Sequence, residues 1–218
     1  MSNRSPLFDR RIHITGSIAA DAGIAPAADV DQARAVVDGL VRELVRRGAT
    51  FVVPVDAEKV RPADSRPICF DWLVWQALYA NLARRPSGAL NPLAVAVQHH
   101  KTEAQIPSEF EGLWDEMRGS DLVQIENVSH WNMNSKRMEA QAKAGDILIA
   151  LGGAEGVLFL ANLYHDAGKP VIPLNFPLAP EDTGARRLFA MGLSSSQASR
   201  LFRTTNQSAH HWINRINF

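Results

Sequence analysis

The glycines between residues 152 and 156 are the part of this sequence best suited to chemistry. An apolar segment from Asp146 to Leu151 runs directly into Gly152-Gly153-Ala154-Glu155-Gly156, and a helical pattern follows to about Ala167. This order predicts a strand, a tight turn and a helix whose first backbone N–H groups have no partner. Those groups and the helix dipole favour an anion, most often a phosphate. An ordinary turn that needs glycine for its backbone angles is the alternative.

Other residues are expected at the same edge of the fold. Gly16 and Ser17 close the first predicted strand, where a nucleotide-binding α/β fold places its first phosphate contact. Arg137 lies one helix before the glycine turn and could bind a phosphate with two parallel hydrogen bonds. Lys136 adjoins it but points about a third of a turn away around the helix, so the two need not act together. A solvated surface arginine is the alternative for Arg137.

Acidic and histidine side chains could complete a ligand site. Glu155 in the turn would repel a phosphate, but it could accept hydrogen bonds from ribose hydroxyls or simply be solvent-exposed. Asp71 could accept bonds from a ribose or a base, or only complement the dipole of its helix. His130 follows a predicted strand and could face the same edge. The histidines, including His99 and His100, do not have metal-ligand spacing with a Cys or carboxylate pair, so no metal site is expected.

The composition limits the classes of function. The chain has 218 residues, 46% of them hydrophobic, and its formal net charge is zero. The chain therefore has no overall electrostatic field that would attract it to nucleic acid or to an acidic membrane. The single Cys69 excludes an internal disulfide and fits a small core residue. The first residues have no apolar signal-peptide core, and no apolar run approaches the roughly 18 residues of a membrane span. We therefore expect a cytoplasmic protein.

Strand and helix patterns alternate along the chain. Short apolar runs alternate with amphipathic or apolar helical segments, which predicts an α/β fold with a mostly parallel, Rossmann-like sheet covered by helices on both faces. Ligands bind such sheets outside the carboxyl ends of the strands. The predicted strands are 11–15, 51–55, 93–98, 121–125, 146–151 and 171–174, and the predicted helices are 31–47, 69–83, 108–118, 132–144 and 153–167.

Three finer points follow from individual residues, and one from the end of the chain. Pro54 places its strand near an edge of the sheet or at a strand end, and Ser108 is expected to cap its helix. Trp72 and Trp75 are expected in the core.

We predict one ligand-binding domain over residues 1–176. Residues 177–218 are then a polar, helical extension that packs on this domain or leads to an effector domain outside the chain.

Several short motifs together resemble the SLOG superfamily, which includes the lonely-guy (LOG) nucleotide phosphoribohydrolases and the Smf/DprA proteins. These motifs are Thr15-Gly16-Ser17, Arg137 nine residues before Asp146, Ala150-Leu151-Gly152-Gly153 and Gly168-Lys169-Pro170-Val171-Ile172-Pro173-Leu174. Phe70-Asp71-Trp72 and Glu155-Gly156 are most similar to the STALD branch, which occurs with TIR or sirtuin domains in bacterial antiphage defence of the Thoeris type. The resemblance covers roughly residues 9 to 176.

The resemblance implies a domain that binds a nucleotide-derived second messenger of the cyclic ADP-ribose type. It also implies a homo-oligomer that activates an effector in cis or in trans, without nucleic acid or membrane as a partner, and without a cofactor other than this ADP-ribose-derived ligand. The residues expected to bind the ligand are Gly16, Ser17, Ile18, Asp71, His130, Lys136, Arg137, Gly152, Gly153, Ala154, Glu155 and Gly156.

One departure from the family decides between a sensor and an enzyme. The hydrolases carry Pro-Gly-Gly-x-Gly-Thr-x-x-Glu, whose last glutamate serves catalysis, whereas Phe159 and Leu160 stand at the corresponding positions here. An N-glycosidic hydrolase needs a carboxylate, and only Glu155, Asp71 or Glu139 could replace it. We therefore favour a sensor without catalytic residues. A LOG-like nucleotide N-glycosidase is the alternative, and DNA handling of the Smf/DprA kind is disfavoured by the neutral charge.

Overall fold

The structure is a computed structural model and describes residues 4–128 and 133–194. Its described residues form one six-stranded sheet in which every pair of neighbouring strands is parallel. The α/β, Rossmann-like fold class predicted from the sequence is confirmed. The strands are β1 (Arg11–Ser17), β2 (Thr50–Pro54), β3 (Ala94–Gln98), β4 (Val123–Asn127), β5 (Ile147–Gly152) and β6 (Val171–Leu174).

The helices connect these strands. In chain order they are α1 (Ala27–Arg46), α2 (Asp71–Ala80), α3 (His100–Glu103), α4 (Ser108–Arg118), α5 (Met133–Ala144), α6 (Glu155–Asp166) and α7 (Gly184–Ser194), with a short 3₁₀ turn at Leu82–Arg84. Among the described helices, none combines the length and the apolar character that a membrane crossing requires.

The strand order is β4-β3-β2-β1-β5-β6. The chain therefore builds one half of the sheet outward from β1 and then returns to add β5 on the other side of β1. In open parallel sheets, this reversal leaves a crevice at the carboxyl ends of the two central strands, and ligands bind there. The loops after Ser17 and Gly152 meet at this crevice.

The two faces of the sheet are covered differently. Ile12 and Ile14 of β1 are buried in the large core beneath α1 and α2. His13, between them, points to the opposite face, where its Nδ1 lies 3.3 Å from the hydroxyl of Tyr164 in α6. Burial lowers the pKa of His13 to about 3, so this side chain is neutral at physiological pH.

Three details correct the sequence analysis. Pro54 is the last residue of β2, which lies inside the sheet between β1 and β3, so the strand-end explanation holds and the edge explanation is wrong. Ser108 does not cap α4, because Pro107 occupies the position before the helix and Ser108 is its first residue. Helix α1 begins at Ala27, four residues earlier than its apolar spacing indicated.

The residues that follow β6 pack on the domain as far as they are described. Phe176 and Leu178 are buried, and α7 contacts β5, β6 and α6. Ala185 at the start of α7 is also buried. The division at residue 176 stays a prediction, but the described part of the extension is continuous with the core.

Candidate functional site

The ends of β1 and β5 are joined directly at the crevice. Gly16 and Ser17 pair with Leu151 and Gly152 as the last residues of the two strands. The N–H of Gly153 then donates a 2.8 Å hydrogen bond to the carbonyl oxygen of Ser17. The loop after β1 and the glycine turn after β5 therefore form one continuous surface.

Gly153 cannot be replaced without rearranging this turn. Its φ is +72°, and a Cβ built on it would lie 2.3 Å from Cγ2 of Val157 in the first turn of α6. Glycine tolerates both the positive φ and the close approach. The turn thus brings the backbone tightly round from the strand into the helix.

Helix α6 begins at Glu155, and the residue before it is Ala154, whose side chain has no oxygen to accept a hydrogen bond. The first backbone N–H groups of a helix have no partner within the helix. Residues 154–156 are all exposed. These N–H groups and the positive end of the helix dipole therefore lie at the crevice, where an anion can bind them.

The chain after β6 completes this part of the site. The carbonyl of Leu178 accepts a 2.7 Å hydrogen bond from the N–H of Ala19. A Cβ on Gly184 would lie 2.1 Å from the carbonyl oxygens of both Gly152 and Gly153. The start of α7 therefore packs directly against the glycine turn. The sequence analysis missed this wall, since nothing in the spacing of residues 176–184 links them to the turn.

A second group of residues lies at the neighbouring ends of β2 and α2. Asp56 follows β2 and forms an ion pair with Arg137 of α5, in which Oδ2 and Nη1 are 2.5 Å apart. Glu58 lies two residues farther on, and its Oε1 accepts a 3.4 Å hydrogen bond from the N–H of Cys69. Asp71 is the first residue of α2 and is only partly exposed.

The pKa values of Asp71 and Glu58 are both raised towards neutral pH. Burial raises the pKa of Asp71 to about 7, and the charge of Glu58 adds to this effect while Arg137 opposes it. Burial likewise raises the pKa of Glu58 to about 7, against the N–H of Cys69 and the charge of Arg34. Burial also raises the pKa of the Cys69 thiol to about 12, which excludes a thiolate nucleophile at neutral pH.

Metal binding has no support in the described parts of the chain. Within residues 4–128 and 133–194, no cluster of three or more His, Cys, Asp and Glu side chains has a metal-binding arrangement. His99 is engaged elsewhere, because its Nδ1 accepts the N–H of Lys101 at the start of α3.

The family model described as "ATP nucleosidase Cap17-like, N-terminal" matches residues 7–218. The chain belongs to this family. The Cap17-like domain is also similar to a solved structure, the X-ray structure of TM1055, a structural genomics target. That likeness has 17% sequence identity and a TM-score of 0.46, and it covers 83% of this chain and 81% of the other. No curated protein matches the chain.

The family supports the superfamily predicted from the sequence, but not its finer assignments. A nucleosidase family fits the SLOG/LOG-like superfamily that the motifs predicted, and it makes this a nucleotide-related domain. The STALD branch, the cyclic ADP-ribose ligand and the oligomer stay predictions.

The predicted ligand-binding residues of the Cap17-like domain fall into two groups in the structure. One group surrounds the glycine turn and consists of Gly16, Ser17, Ile18, Gly152, Gly153, Ala154, Glu155 and Gly156. The other is the charged group at the end of β2, which includes Asp71 and Arg137.

Three of the predicted ligand-binding residues differ from the rest. Ile18 is buried and its N–H donates to the carbonyl of Ile68 at 2.9 Å, so neither is presented to a ligand in this structure. Lys136 is exposed and pairs with Glu139 at 2.6 Å. His130 lies outside the described residues. Ligand binding by all three stays a prediction.

Asp56 and Glu58 are two further residues at this site that the sequence analysis did not select. A signal was available, because the two carboxylates directly follow the apolar run Phe51-Val52-Val53-Pro54-Val55. Residues that follow a buried parallel strand lie at the ligand-binding edge of the sheet. The pattern of strand followed by Asp-Ala-Glu therefore had the same positional value as the glycines after β5.

Proposed function

We propose that this domain binds a nucleotide-derived second messenger and controls an ATP nucleosidase effector. One observation carries the proposal: the start of α6 is exposed behind the glycine turn, while the catalytic glutamate of the LOG-like hydrolases has no counterpart at the corresponding positions. Phe159 and Leu160 stand where the hydrolases carry their glutamate. Phe159 is 40% exposed and Leu160 is buried, and neither can hold or transfer a proton.

The phosphates of the messenger would lie on the N–H groups at the start of α6 and on Ser17. This position uses the helix dipole and fixed backbone donors. The chain has no net charge, so the attraction has to be local. Arg137, which pairs with Asp56 after β2, would supply a positive side chain with a guanidinium that matches phosphate geometry.

The sugar and base of the messenger would then face Asp71 and Glu58. With pKa values near 7, both carboxyl groups are a mixture of acid and carboxylate at neutral pH. Such groups can donate a hydrogen bond as well as accept one. This suits ribose hydroxyls and base nitrogens, and a cyclic ADP-ribose-type molecule carries these groups together with a pyrophosphate.

The effector follows from the family. The matching model describes the N-terminal part of ATP nucleosidases, so the activity under control would be cleavage of ATP, in cis or in trans. By the STALD resemblance, the messenger would come from a TIR enzyme in antiphage defence, and it would act by changing a homo-oligomer. Switching from mostly off to mostly on requires about 5 kcal/mol of differential affinity between the two assemblies.

A second candidate function rests on a different observation. Asp71 has the raised pKa that suits a general acid at neutral pH, and it was one of the three carboxylates considered as a replacement for the missing glutamate. In this case the domain itself would hydrolyse a nucleotide. The C1′–N bond would break, water would add at C1′, and the departing base would take up the proton.

Calorimetry separates the two functions. We would titrate the purified chain with cyclic ADP-ribose isomers, ADP-ribose, NAD, AMP and ATP, and analyse each mixture for free base by chromatography. The sensor predicts saturable binding of a cyclic ADP-ribose isomer, with the compound recovered intact. The nucleosidase predicts free adenine from AMP or ATP, lost in Asp71→Asn.

Two variants make the binding result specific to the site. Arg137→Ala is expected to weaken binding, whereas Gly112→Ala, in an exposed position of α4 with no atom within 4 Å of the added Cβ, is expected to leave it unchanged. Equal affinities of Arg137→Ala and the unmutated chain would contradict the site assignment.

A further inference from the structure

Two hydrogen bonds within the protein fix the position of Asp56. Its backbone carbonyl accepts a 2.9 Å hydrogen bond from Nε1 of Trp72, and its own Oδ1 accepts the N–H of Ala57 at 2.8 Å. Trp72 is buried and stacks on Phe110 of α4, with ring centroids 4.7 Å apart and planes 8° from parallel. These contacts hold the backbone and one carboxylate oxygen of Asp56 in place.

The other carboxylate oxygen of Asp56 is directed at Arg137. Oδ2 lies 2.5 Å from Nη1, and the Arg137 side chain is 14% exposed. Across residues 4–128 and 133–194, this ion pair is the only polar contact of the Arg137 guanidinium. A guanidinium has five N–H donors in one plane, so a contact through Nη1 leaves donors on Nη2 and Nε for an anion.

A competing carboxyl group lies close by. Asp71 interacts with the charge of Arg137, which lowers the pKa of Asp71 against the opposing effect of burial. If Asp56 did not hold Nη1, the long arginine side chain could turn to Asp71. Its donors would then be consumed on the protein and would not be available to a phosphate.

We propose that Asp56 positions Arg137, and that this ion pair sets the orientation in which the guanidinium meets a phosphate of the ligand. The inference deepens the proposed function and rests on it for the ligand, but the orientation of Arg137 is a property of the protein alone. Asp56 acts through Arg137, so it is a positioning residue. An arginine held in its binding orientation loses less entropy when the ligand arrives.

Five variants test this assignment. Asp56→Asn keeps an oxygen acceptor without the charge, Asp56→Ala removes both, and Arg137→Ala removes the residue that is positioned. The double variant Asp56→Ala/Arg137→Ala completes a cycle. Glu43→Gln is the matched control, because Glu43 also forms arginine ion pairs, with Arg46 and Arg47, but at the end of α1 remote from the crevice.

The first measurement needs no ligand. The Nε–Hε resonance of Arg137 is identified by its loss in Arg137→Ala, and its heteronuclear NOE reports how rigidly the side chain is held. We expect a rigid side chain in the unmutated chain and in Glu43→Gln, partial loss of rigidity in Asp56→Asn, and a mobile side chain in Asp56→Ala. An unchanged NOE in a folded Asp56→Ala protein overturns the proposal.

The second measurement is calorimetry with ADP-ribose and with inorganic pyrophosphate as probes. We expect Asp56→Ala to weaken binding about tenfold in the unmutated background and to change it less than twofold when Arg137 is already alanine. Equal losses in both backgrounds, or tighter binding by Asp56→Ala, overturn the proposal, because Asp56 then acts independently of Arg137 or competes with the ligand.

The two measurements distinguish failure of this inference from failure of the proposed function. If the unmutated chain binds neither probe and none of the cyclic ADP-ribose isomers, the sensor function is wrong, and the NOE alone decides whether Asp56 positions Arg137. If Asp56→Ala is poorly folded, Asp56→Asn supplies the same comparison, since it replaces a single oxygen by an NH₂ group.

Discussion

The N–H of Gly153 and the carbonyl oxygen of Ser17 lie 2.8 Å apart and join the loop after β1 to the turn after β5. This bond spans the point at which the strand order reverses. The glycine turn, the start of α6 and the end of β1 consequently form one backbone surface. That surface is the part of the domain best suited to hold a phosphate.

The first prediction concerns the turn itself. Gly153→Ala places a Cβ 2.3 Å from Val157 at a φ of +72°, so we expect the free energy of unfolding to fall by about 2 kcal/mol. Gly112→Ala is the control, because it adds a Cβ to an exposed helical position with open space around it and should raise stability by about 0.5–1 kcal/mol. Urea denaturation measures both, and equal stability of the two variants would refute the steric argument.

The second prediction compares two neighbouring cations. Arg137→Ala is expected to weaken nucleotide binding at least about tenfold, because a hydrogen bond to a charged group contributes about 1.5–3 kcal/mol. Lys136→Ala should have a smaller effect, about threefold or less, since Lys136 is exposed and its ammonium is already paired with Glu139. Calorimetry at constant salt checks the ratio. A larger loss of affinity for Lys136→Ala than for Arg137→Ala would show that Arg137 is not the main phosphate contact.

The third prediction is a pH dependence of stability. The pKa of Asp71 is raised to about 7, whereas an unfolded aspartate has a pKa of about 3.9. The native state therefore binds more protons than the unfolded state between these values, so the contribution of Asp71 is fully present below pH 4 and is lost as the pH rises through 7. Asp71→Asn removes this titration, and its stability should fall less between pH 5 and pH 8.

Urea denaturation of both proteins across that range provides the check. Buried His13 contributes a slope of the opposite sign below pH 6.5, but it is common to both proteins and cancels in the comparison. Glu43→Gln is the control, since ion pairing with Arg46 and Arg47 lowers the pKa of Glu43 to about 2 and its carboxylate stays ionised throughout. Parallel curves for Asp71→Asn and the unmutated chain would be incompatible with a raised pKa of Asp71.

The fourth prediction concerns the loop that carries Asp56 and Glu58. Arg61 is fully buried, pairs with Asp64 through two nitrogens, and donates a 2.6 Å hydrogen bond to the carbonyl of Ala25. We expect Arg61→Ala to lower the free energy of unfolding by about 3 kcal/mol, because it removes a buried ion pair, leaves the carbonyl of Ala25 without its donor and leaves Asp64 with Arg66 as its remaining arginine partner.

Arg66→Ala provides the comparison for this loop. Arg66 also pairs with Asp64, and with Asp31, but these contacts are more exposed. We expect a loss of about 1 kcal/mol or less. Thermal and urea denaturation measure both variants, and similar losses would show that burial of Arg61 does not determine its contribution.

The fold was predictable because its signals are local. Each buried parallel strand appears as a short apolar run, such as Phe51 to Val55, and a helix such as α1 appears as an apolar face of period 3.6. The errors lie where a single residue decides. Ser108 has the side chain of a helix cap, but the preceding proline takes that position, and the capping preference alone cannot reveal the competition.

The site was predictable only in part, for a physical reason. The glycine turn is recognisable in the sequence because its backbone geometry restricts the residue type, as at Gly153. Asp56 and Glu58 have only the positional signal of residues that follow a strand. Gly184 is restricted to glycine by its positive φ and its close approach to the turn, but its partner in that approach depends on the path of the chain after β6. Long-range contacts of this kind do not leave a periodic pattern.

Equilibrium binding and base release, measured in one sample, test the central claim most directly. The purified chain is mixed with each cyclic ADP-ribose isomer and with ATP, the bound fraction is determined by calorimetry, and the same mixtures are analysed for free adenine after several hours. The account predicts saturable binding of a cyclic ADP-ribose isomer, weakened in Arg137→Ala, with no adenine released from either compound. Adenine release that disappears in Asp71→Asn would contradict it and identify the domain as the nucleosidase itself.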